Sequence, residues 1–129
     1  MQTVPVVTSA APPGAFDDEQ LRDLILLDSA IASIAIAIEA IEDGDGPTCM
    51  TAVGLTGAIV GQLYLALAGR PRTRARGSMA LVYNFSLRNL PFVTVENGPS
   101  RARQIRTLLM PLRDVLCLPQ GGEALAANG

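Results

Sequence analysis

The sequence predicts an all-α protein, an antiparallel up-down four-helix bundle with a flexible N-terminal arm and a disordered C-terminal tail. Its 129 residues are rich in Ala, Leu and Ile but include only two Tyr, three Phe and no Trp. This composition favours helices over a β-sandwich. Apolar residues recur at helical spacing in four segments separated by Gly- and Pro-containing breaks. Short breaks between long helices are typical of an up-down bundle, so no strands are expected.

The bundle is expected to occupy residues 16–118. Residues 1–15 contain three prolines and no helical period, which indicates a flexible arm. Residues 119–129 are small and polar and are expected to be disordered. No basic stretch followed by an apolar core is visible at the N-terminus, so we expect no secretory signal and a cytoplasmic protein. Cys49 and Cys117 are then expected to be reduced thiols that fill apolar space.

The first helix has clear start and stop signals. Asp17 can cap its first turn, Gln20 can complete a capping box, and Phe16 can pack against Leu21. Gly44 is expected to end the helix. The alternating segment SIAIAIEAI also fits a strand, but alanine fills strands poorly and both flanks are helical, which favours the helix.

This helix has more apolar surface than one core requires. Its core stripe at helical spacing consists of Leu24, Leu27, Ile31, Ile34, Ile38 and Ile41. At about 100° per residue, Ile25 and Ile36 fall roughly opposite that stripe, where a surface helix normally carries charges. Another part of the chain or a partner must cover these two side chains, and the function depends on which of them does so.

The second helix is expected to run from Pro47 to Gly69. Gly54, Gly57 and Gly61 recur along one side of it, and each costs about 1 kcal/mol relative to alanine in a helix. Three glycines on one face indicate either a close helix approach or a groove that holds another segment.

Two further helices complete the bundle. The third begins near Ala75, and Pro91 ends or kinks it. Its apolar residues at helical spacing are Met79, Val82, Tyr83, Leu87 and Leu90. Ser100 is expected to cap the fourth helix and Pro111 to bend it. The basic segment 70–76 is interpreted as a solvated loop, with an anion site as the alternative.

Charge is divided along the chain. Residues 1–69 contain nine acids and one arginine, a net charge of −8, whereas residues 70–129 contain nine arginines and three acids, a net charge of +6. The two halves should attract each other when they fold together. The overall charge of −2 and the few aromatic residues argue against a nucleic-acid partner.

No catalytic or metal-binding constellation is recognisable in the sequence. The chain has no histidine, the commonest general base and metal ligand. Asp28 and Glu39 lie about three helical turns apart, too far to act as a pair. The segment 42–46, EDGDG, faintly resembles a calcium loop but lacks the later ligands, so it is interpreted as a helix-ending turn. We expect no enzymatic activity, no metal and no cofactor.

A membrane helix hairpin is an alternative reading. Residues 52–69 contain no charge and are followed by four arginines, the minimum pattern for a spanning helix. The other apolar segments include Asp28, Glu39, Arg88 and Arg106, which a bilayer would penalise. We therefore expect no membrane insertion.

The order of four segments carries a family resemblance. Leu24–Ile31 is similar to the pattern I-x-x-L-Y-D-G-A-I, and Ala40–Asp45 is similar to A-I-E-x-G-D. Leu81–Leu90 resembles L-Y-D-Y-x-x-R-R-L. The segment QIRTLLMPLRDVL is similar to L-L-x-x-L-R-x-x-W, with Leu116 in place of the tryptophan. These patterns, in this order, are those of the flagellin export chaperones, the FliS family, and the resemblance covers residues 20–118.

The resemblance implies a cytosolic chaperone that binds the C-terminal helical segment of flagellin, prevents its premature polymerisation and aids export, without a cofactor. Surplus apolar faces on a bundle agree with this, because such grooves accept amphipathic helices. The candidate client-binding residues are Ile25, Leu27, Ile36, Val60, Tyr64, Tyr83 and Leu87. Helical spacing alone favours a core role for Tyr83 and Leu87. The export apparatus is a further partner to consider, and a homo-oligomeric adaptor, such as a homodimer, is the remaining alternative.

Overall fold

The computed structural model describes residues 17–117, and within this range every regular element is helical. The helices are α1 (Asp18–Glu42), α2 (Gly46–Ala68), α3 (Arg74–Asn89), α4 (Ser100–Leu109) and α5 (Leu112–Leu116), with a 3₁₀ turn over Leu90–Phe92 after α3. Helices α4 and α5 together form the fourth helix, so the predicted all-α four-helix bundle is confirmed. The predicted arm, the predicted tail and the packing of Phe16 lie outside the described residues.

Helix α1 begins and ends at the predicted signals. Asp17 accepts a hydrogen bond from the backbone N–H of Gln20 at 2.7 Å, which satisfies one donor of the first turn. Gly44 follows the helix with a φ of 71°, a left-handed conformation that glycine adopts without steric cost. The Gln20 side chain reaches across the bundle and donates to the carbonyl of Leu116 in α5. This bond ties the start of α1 to the end of the bundle.

Side-chain caps also start α2 and α3. Asp45 accepts from the N–H of Thr48 at 3.1 Å, and Thr73 accepts from the N–H of Arg76 at 3.0 Å. Each cap fixes the first turn of its helix, because it satisfies a backbone donor that has no partner inside the helix. Helix α2 ends at Ala68, and Gly69 is its C-cap residue, in agreement with the predicted end.

Prolines divide the second half of the bundle. Pro91 lies in the 3₁₀ turn that ends α3, and Pro111 separates α4 from α5. Both breaks were expected, because proline has no N–H for the helical ladder. The predicted Ser100 cap is wrong. Ser100 is the first residue of α4, and Pro99 occupies the capping position without a side-chain hydrogen bond.

The helices form a ring around one core. Helix α1 packs against α2, α4 and α5, and α3 packs against α2 and α4. Four residues of the predicted α1 core stripe are buried: Leu27, Ile34, Ile38 and Ile41. Leu24 and Ile31 pack at the edge of the core. Between α1 and α2, the buried hydroxyls of Ser33 and Thr56 form a hydrogen bond of 2.6 Å.

Ion pairs join the acidic first half of the chain to its basic second half. These pairs are Arg70 with Asp23 and with Glu19, Arg103 with Glu42, and Arg113 with Asp28. Every carboxylate in this set lies on α1, whereas the arginines lie in the loop after α2 and in α4 and α5. The predicted attraction between the two halves is therefore confirmed.

The pair between Asp23 and Arg70 differs from the others by its burial. The Asp23 side chain is 3% exposed and the Arg70 side chain 10% exposed. The guanidinium donates from Nη1 to Oδ2 and from Nη2 to Oδ1, so the contact is two-pronged. The hydrogen bond with Asp23 raises the pKa of Arg70. The pair joins the second turn of α1 to the loop that follows α2.

Substitution of Asp23 should test how much the bundle depends on this pair. We expect Asp23→Ala to lower the free energy of unfolding by about 3 kcal/mol, because Arg70 is left largely buried with only the exposed Glu19 as a partner. The double variant Asp23→Leu with Arg70→Met should recover most of that loss. As a control, Asp28→Ala breaks the exposed pair with Arg113 and should cost less than about 1 kcal/mol. Urea denaturation measures all three variants, and equal losses for Asp23→Ala and Asp28→Ala would contradict the assignment.

Tyr83 is fully buried in the core between the helices. Its hydroxyl has no hydrogen-bond partner among residues 17–117. Burial, together with the negative charge of Asp23, raises the pKa of Tyr83 well above its ordinary value. The folded protein thus holds the phenolic proton more tightly than the unfolded chain does.

Removal of the Tyr83 hydroxyl should stabilise the bundle. We expect Tyr83→Phe to raise the free energy of unfolding at pH 7 by about 1 kcal/mol, because an unpaired buried polar group is lost. The native protein should also lose stability as the pH rises above about 10, where the unfolded tyrosine ionises and the folded one does not. The variant should lack this part of the loss. Urea denaturation at neutral and alkaline pH measures both effects, and a steeper alkaline loss in the variant would refute them.

Candidate docking surface

The α1 face opposite the core is exposed. Ile25 is 57% exposed and Ile36 is 49% exposed, so the prediction that both lie off the core is confirmed. Leu21 and Ala32 are exposed at helical spacing on the same side. We call these four residues the α1 stripe. It is about 22 Å long at 1.5 Å per residue, enough for a helix of a partner to lie along it.

Helix α2 contributes a larger apolar surface. No residue of α2 is charged. Only 28% of its most apolar 18-residue segment is buried inside the bundle. Its large exposed apolar side chains are Met50, Leu55, Tyr64 and Leu65, and we call these four residues the α2 patch. A helix that is apolar all round is normally covered on every side.

The three glycines of α2 leave open surface beside this patch. A Cβ built at Gly54 or Gly61 would meet no atom within 4 Å. A Cβ built at Gly57 would lie 3.7 Å from Cδ1 of Leu90, an ordinary contact. Within residues 17–117, the predicted close approach of two helices at the glycines is therefore wrong. A groove that receives another segment stays a prediction.

A shallow groove runs between α1 and α2. At one end, a cleft of about 310 Å³ lies between Ile36 of α1 and the residues Thr51 and Leu55 of α2. At the other end, a second cleft lies between Arg22 and Leu26 of α1 and Leu65 of α2. We call the two clefts together the α1–α2 groove. Ile36 of the α1 stripe and Leu55 of the α2 patch thus meet in the first cleft, and Leu65 of the α2 patch lines the second.

A third cleft lies at the corner where α2 leads into α3, and we call it the corner cleft. Its volume is about 390 Å³. Its lining includes the apolar residues Tyr64, Leu65, Leu67, Ala68, Pro71 and Ala80. Leu65 also lines the α1–α2 groove, so the two depressions adjoin.

Three of the candidate client-binding residues belong to the core. Leu27, Val60 and Tyr83 are each 0% exposed, so their side chains cannot contact a partner at the surface of this structure. We correct their assignment to the core, because their positions on the helices face the centre of the bundle. Leu87 is half-buried and packs against the core, as its helical spacing favoured.

The other three candidates lie at the surface. Ile25 and Ile36 belong to the α1 stripe, and Tyr64 is 38% exposed in the α2 patch and lines the corner cleft. The sequence reasoning missed Leu55 and Leu65, which are more exposed than Tyr64. Helix α2 is apolar on all sides, so its periodicity does not show which side faces the core.

Charged pairs border the α1 stripe on the side of the fourth helix. Asp28 bonds Arg113 of α5, and Glu42 bonds Arg103 of α4. All four side chains are about half exposed. The exposed apolar surface of α1 therefore has a charged edge on one side. On the other side Ile36 meets Leu55 of α2, and Arg22 lines the cleft beside Leu65.

The described part of the chain contains no group of three His, Cys, Asp or Glu residues placed to hold a metal ion. The segment 42–46 joins α1 to α2, and Asp45 caps α2, which confirms the helix-ending turn. Cys49 is buried, and burial raises the pKa of its thiol. Cys117 is exposed, so the prediction that it fills apolar space is wrong.

Helices α1 and α2 are long and apolar enough to cross a membrane by length and composition alone. The core helices of a bundle meet the same criteria. In α1, 44% of the most apolar window is buried inside the bundle. Asp23 and Asp28 of α1 are paired with arginines from other elements, an arrangement that belongs to a closed bundle.

The comparisons with known proteins agree with this architecture. Among curated proteins, none matches the chain. The family model described as flagellar protein FliS matches residues 16–116, a range that includes all five helices. This is a family of chaperones in flagellar export and is not known for enzymatic activity. The resemblance found in the sequence is thus confirmed, and the chain belongs to the FliS family of flagellar export chaperones.

Proposed function

We propose that this protein is a cytosolic chaperone that binds the C-terminal helical segment of flagellin and prevents its polymerisation before export. The observation that carries the proposal is the exposed apolar surface formed by the α1 stripe and the α2 patch. Family membership supplies the setting, which is flagellar export.

The geometry of this surface supports a helical client. The α1–α2 groove lies between two antiparallel helices, and an amphipathic helix can place residues at positions i, i+3, i+4 and i+7 into such a groove. The exposed half of each large apolar side chain gains about 1 kcal/mol when a client covers it. Binding by packing needs neither a cofactor nor a turnover step.

A homodimer through the same surface is the second candidate. The α1 stripe is apolar and uncharged, and a two-fold axis would set it against its own copy. Light scattering over a range of dilutions, with and without client, distinguishes the two cases. A client that converts a dimer into a one-to-one complex would show that both use one surface.

Direct binding is the first test. We expect the full chain to retain flagellin encoded by the same genome in a pull-down, because the client helix covers the exposed apolar surface. Flagellin that lacks its C-terminal helical segment is the matched control and should not be retained. Equal retention of both forms, or of neither, would count against the proposal.

A pair of substitutions on α1 tests which face binds the client. Ile36→Asp should weaken client binding at least about tenfold, because a charge replaces an apolar contact, while stability changes little. Ile34→Asp should unfold the bundle at a cost of several kcal/mol, since Ile34 is fully buried. Calorimetric titration and urea denaturation give the two quantities. Comparable losses of stability in both variants would defeat the distinction between the two faces.

A further inference from the structure

The corner cleft combines an apolar lining with charge of one sign. Arg70, Arg72 and Arg76 line it together with the apolar residues given above, and no carboxylate of residues 17–117 lines it. Guanidinium groups bind carboxylates in well-defined geometry. A cleft of this composition fits a segment that is both apolar and acidic.

The arginines at this corner differ in whether they already have a hydrogen-bond or ion-pair partner within the protein. Arg70 is bound to the buried carboxylate of Asp23. Arg76 donates from Nη1 to a backbone carbonyl of the loop at 2.9 Å. Arg72 and Arg74 are exposed and have no ion pair among residues 17–117. Arg72, which lines the cleft, therefore has its full charge available to a partner.

The shape of the corner favours a peptide over a membrane. The cleft is concave and adjoins the α1–α2 groove at Leu65, so a helix that lies in the groove can continue into the corner. Gly77 of α3 leaves further room, because a Cβ at this position would meet no atom within 4 Å. A bilayer would instead contact a convex surface.

We propose that the corner cleft binds acidic residues at one end of the client segment, whose apolar face lies in the α1–α2 groove. This inference rests on the proposed function and adds the chemistry of the client and its direction. Carboxylates of the client meet Arg72, so the acidic end of the segment points to the junction of α2 and α3. The opposite direction would place these carboxylates beside Ile36 and Leu55, where no arginine of the described chain lines the cleft.

The test compares two synthetic amphipathic peptides of about 20 residues, long enough to follow the groove. They share a Leu- and Ala-rich face and differ only at three positions near one end, which are Glu in one peptide and Gln in the other. We expect the Glu peptide to bind the full chain about fivefold more tightly at low salt, because one of its carboxylates forms an exposed ion pair with Arg72. The difference should shrink in about 1 M salt.

Two charge reversals locate the effect. Arg72→Glu should abolish the preference for the Glu peptide. The matched control is Arg88→Glu, since Arg88 is also exposed and unpaired within residues 17–117. It lies on α3 about 21 Å from Arg74 along the helix axis, so the preference should persist. Both variants should keep the wild-type stability, because neither arginine is buried.

Every other result contradicts the inference, and each one indicates a different explanation. If the flagellin segment binds but the two peptides bind equally, the corner does not select acids, and the proposed function still holds. If neither flagellin nor the peptides bind, the proposed function fails as well. Binding to anionic phospholipid vesicles that depends on Arg72 and exceeds peptide binding would assign the corner to a lipid surface. Dimerisation lost only in Arg72→Glu would assign it to a second copy of the chain.

Discussion

The packing of α1 between α2 and the broken fourth helix is the constraint on which the bundle depends. One side of α1 is fixed to α2 through apolar contacts and the buried hydrogen bond between Ser33 and Thr56. The other side is fixed to α4 and α5. The carboxylates of α1 that form ion pairs all reach toward arginines later in the chain. On the surface of α1 that the described residues leave uncovered, the α1 stripe lies among charged side chains, of which Asp28 and Glu42 are paired with arginines.

The residues that form the core are therefore different from the residues proposed to bind the client. The core closes without the α1 stripe or the α2 patch, so a client can come and go while the bundle stays folded. The glycines of α2 fit the same division. Together they cost about 3 kcal/mol relative to alanine, yet Gly54 and Gly61 face open space in the described chain. The proposed client explains this cost, because a helix without side chains at these positions lets the backbone of the client approach closely.

The ends of the helices and the apolar period of α1 could be predicted from the sequence, but the tertiary contacts could not. Asp17 and Gly44 define the ends of α1 by short-range hydrogen bonding and backbone freedom, so their roles are visible in a few neighbouring residues. Ile36 was identified because a long helix has a reliable period. The prediction that Val60 binds the client fails because α2 is apolar on all sides, and only the neighbouring helices decide which side is buried. The partner of Asp23 lies 47 residues away in a basic loop, and no local pattern indicates it.

The separation of charge along the chain also bears on synthesis. The hairpin of α1 and α2 leaves the ribosome before any of the arginines that later bind it, and residues 1–69 then have a net charge of −8. At that stage the core faces of both helices are uncovered as well, a condition that promotes aggregation of nascent chains. Mutual repulsion between such strongly negative hairpins is expected to keep neighbouring nascent chains apart. The arginine-rich half then neutralises most of this negative charge when it covers the core. The repulsion between chains therefore acts only while the apolar core faces are exposed.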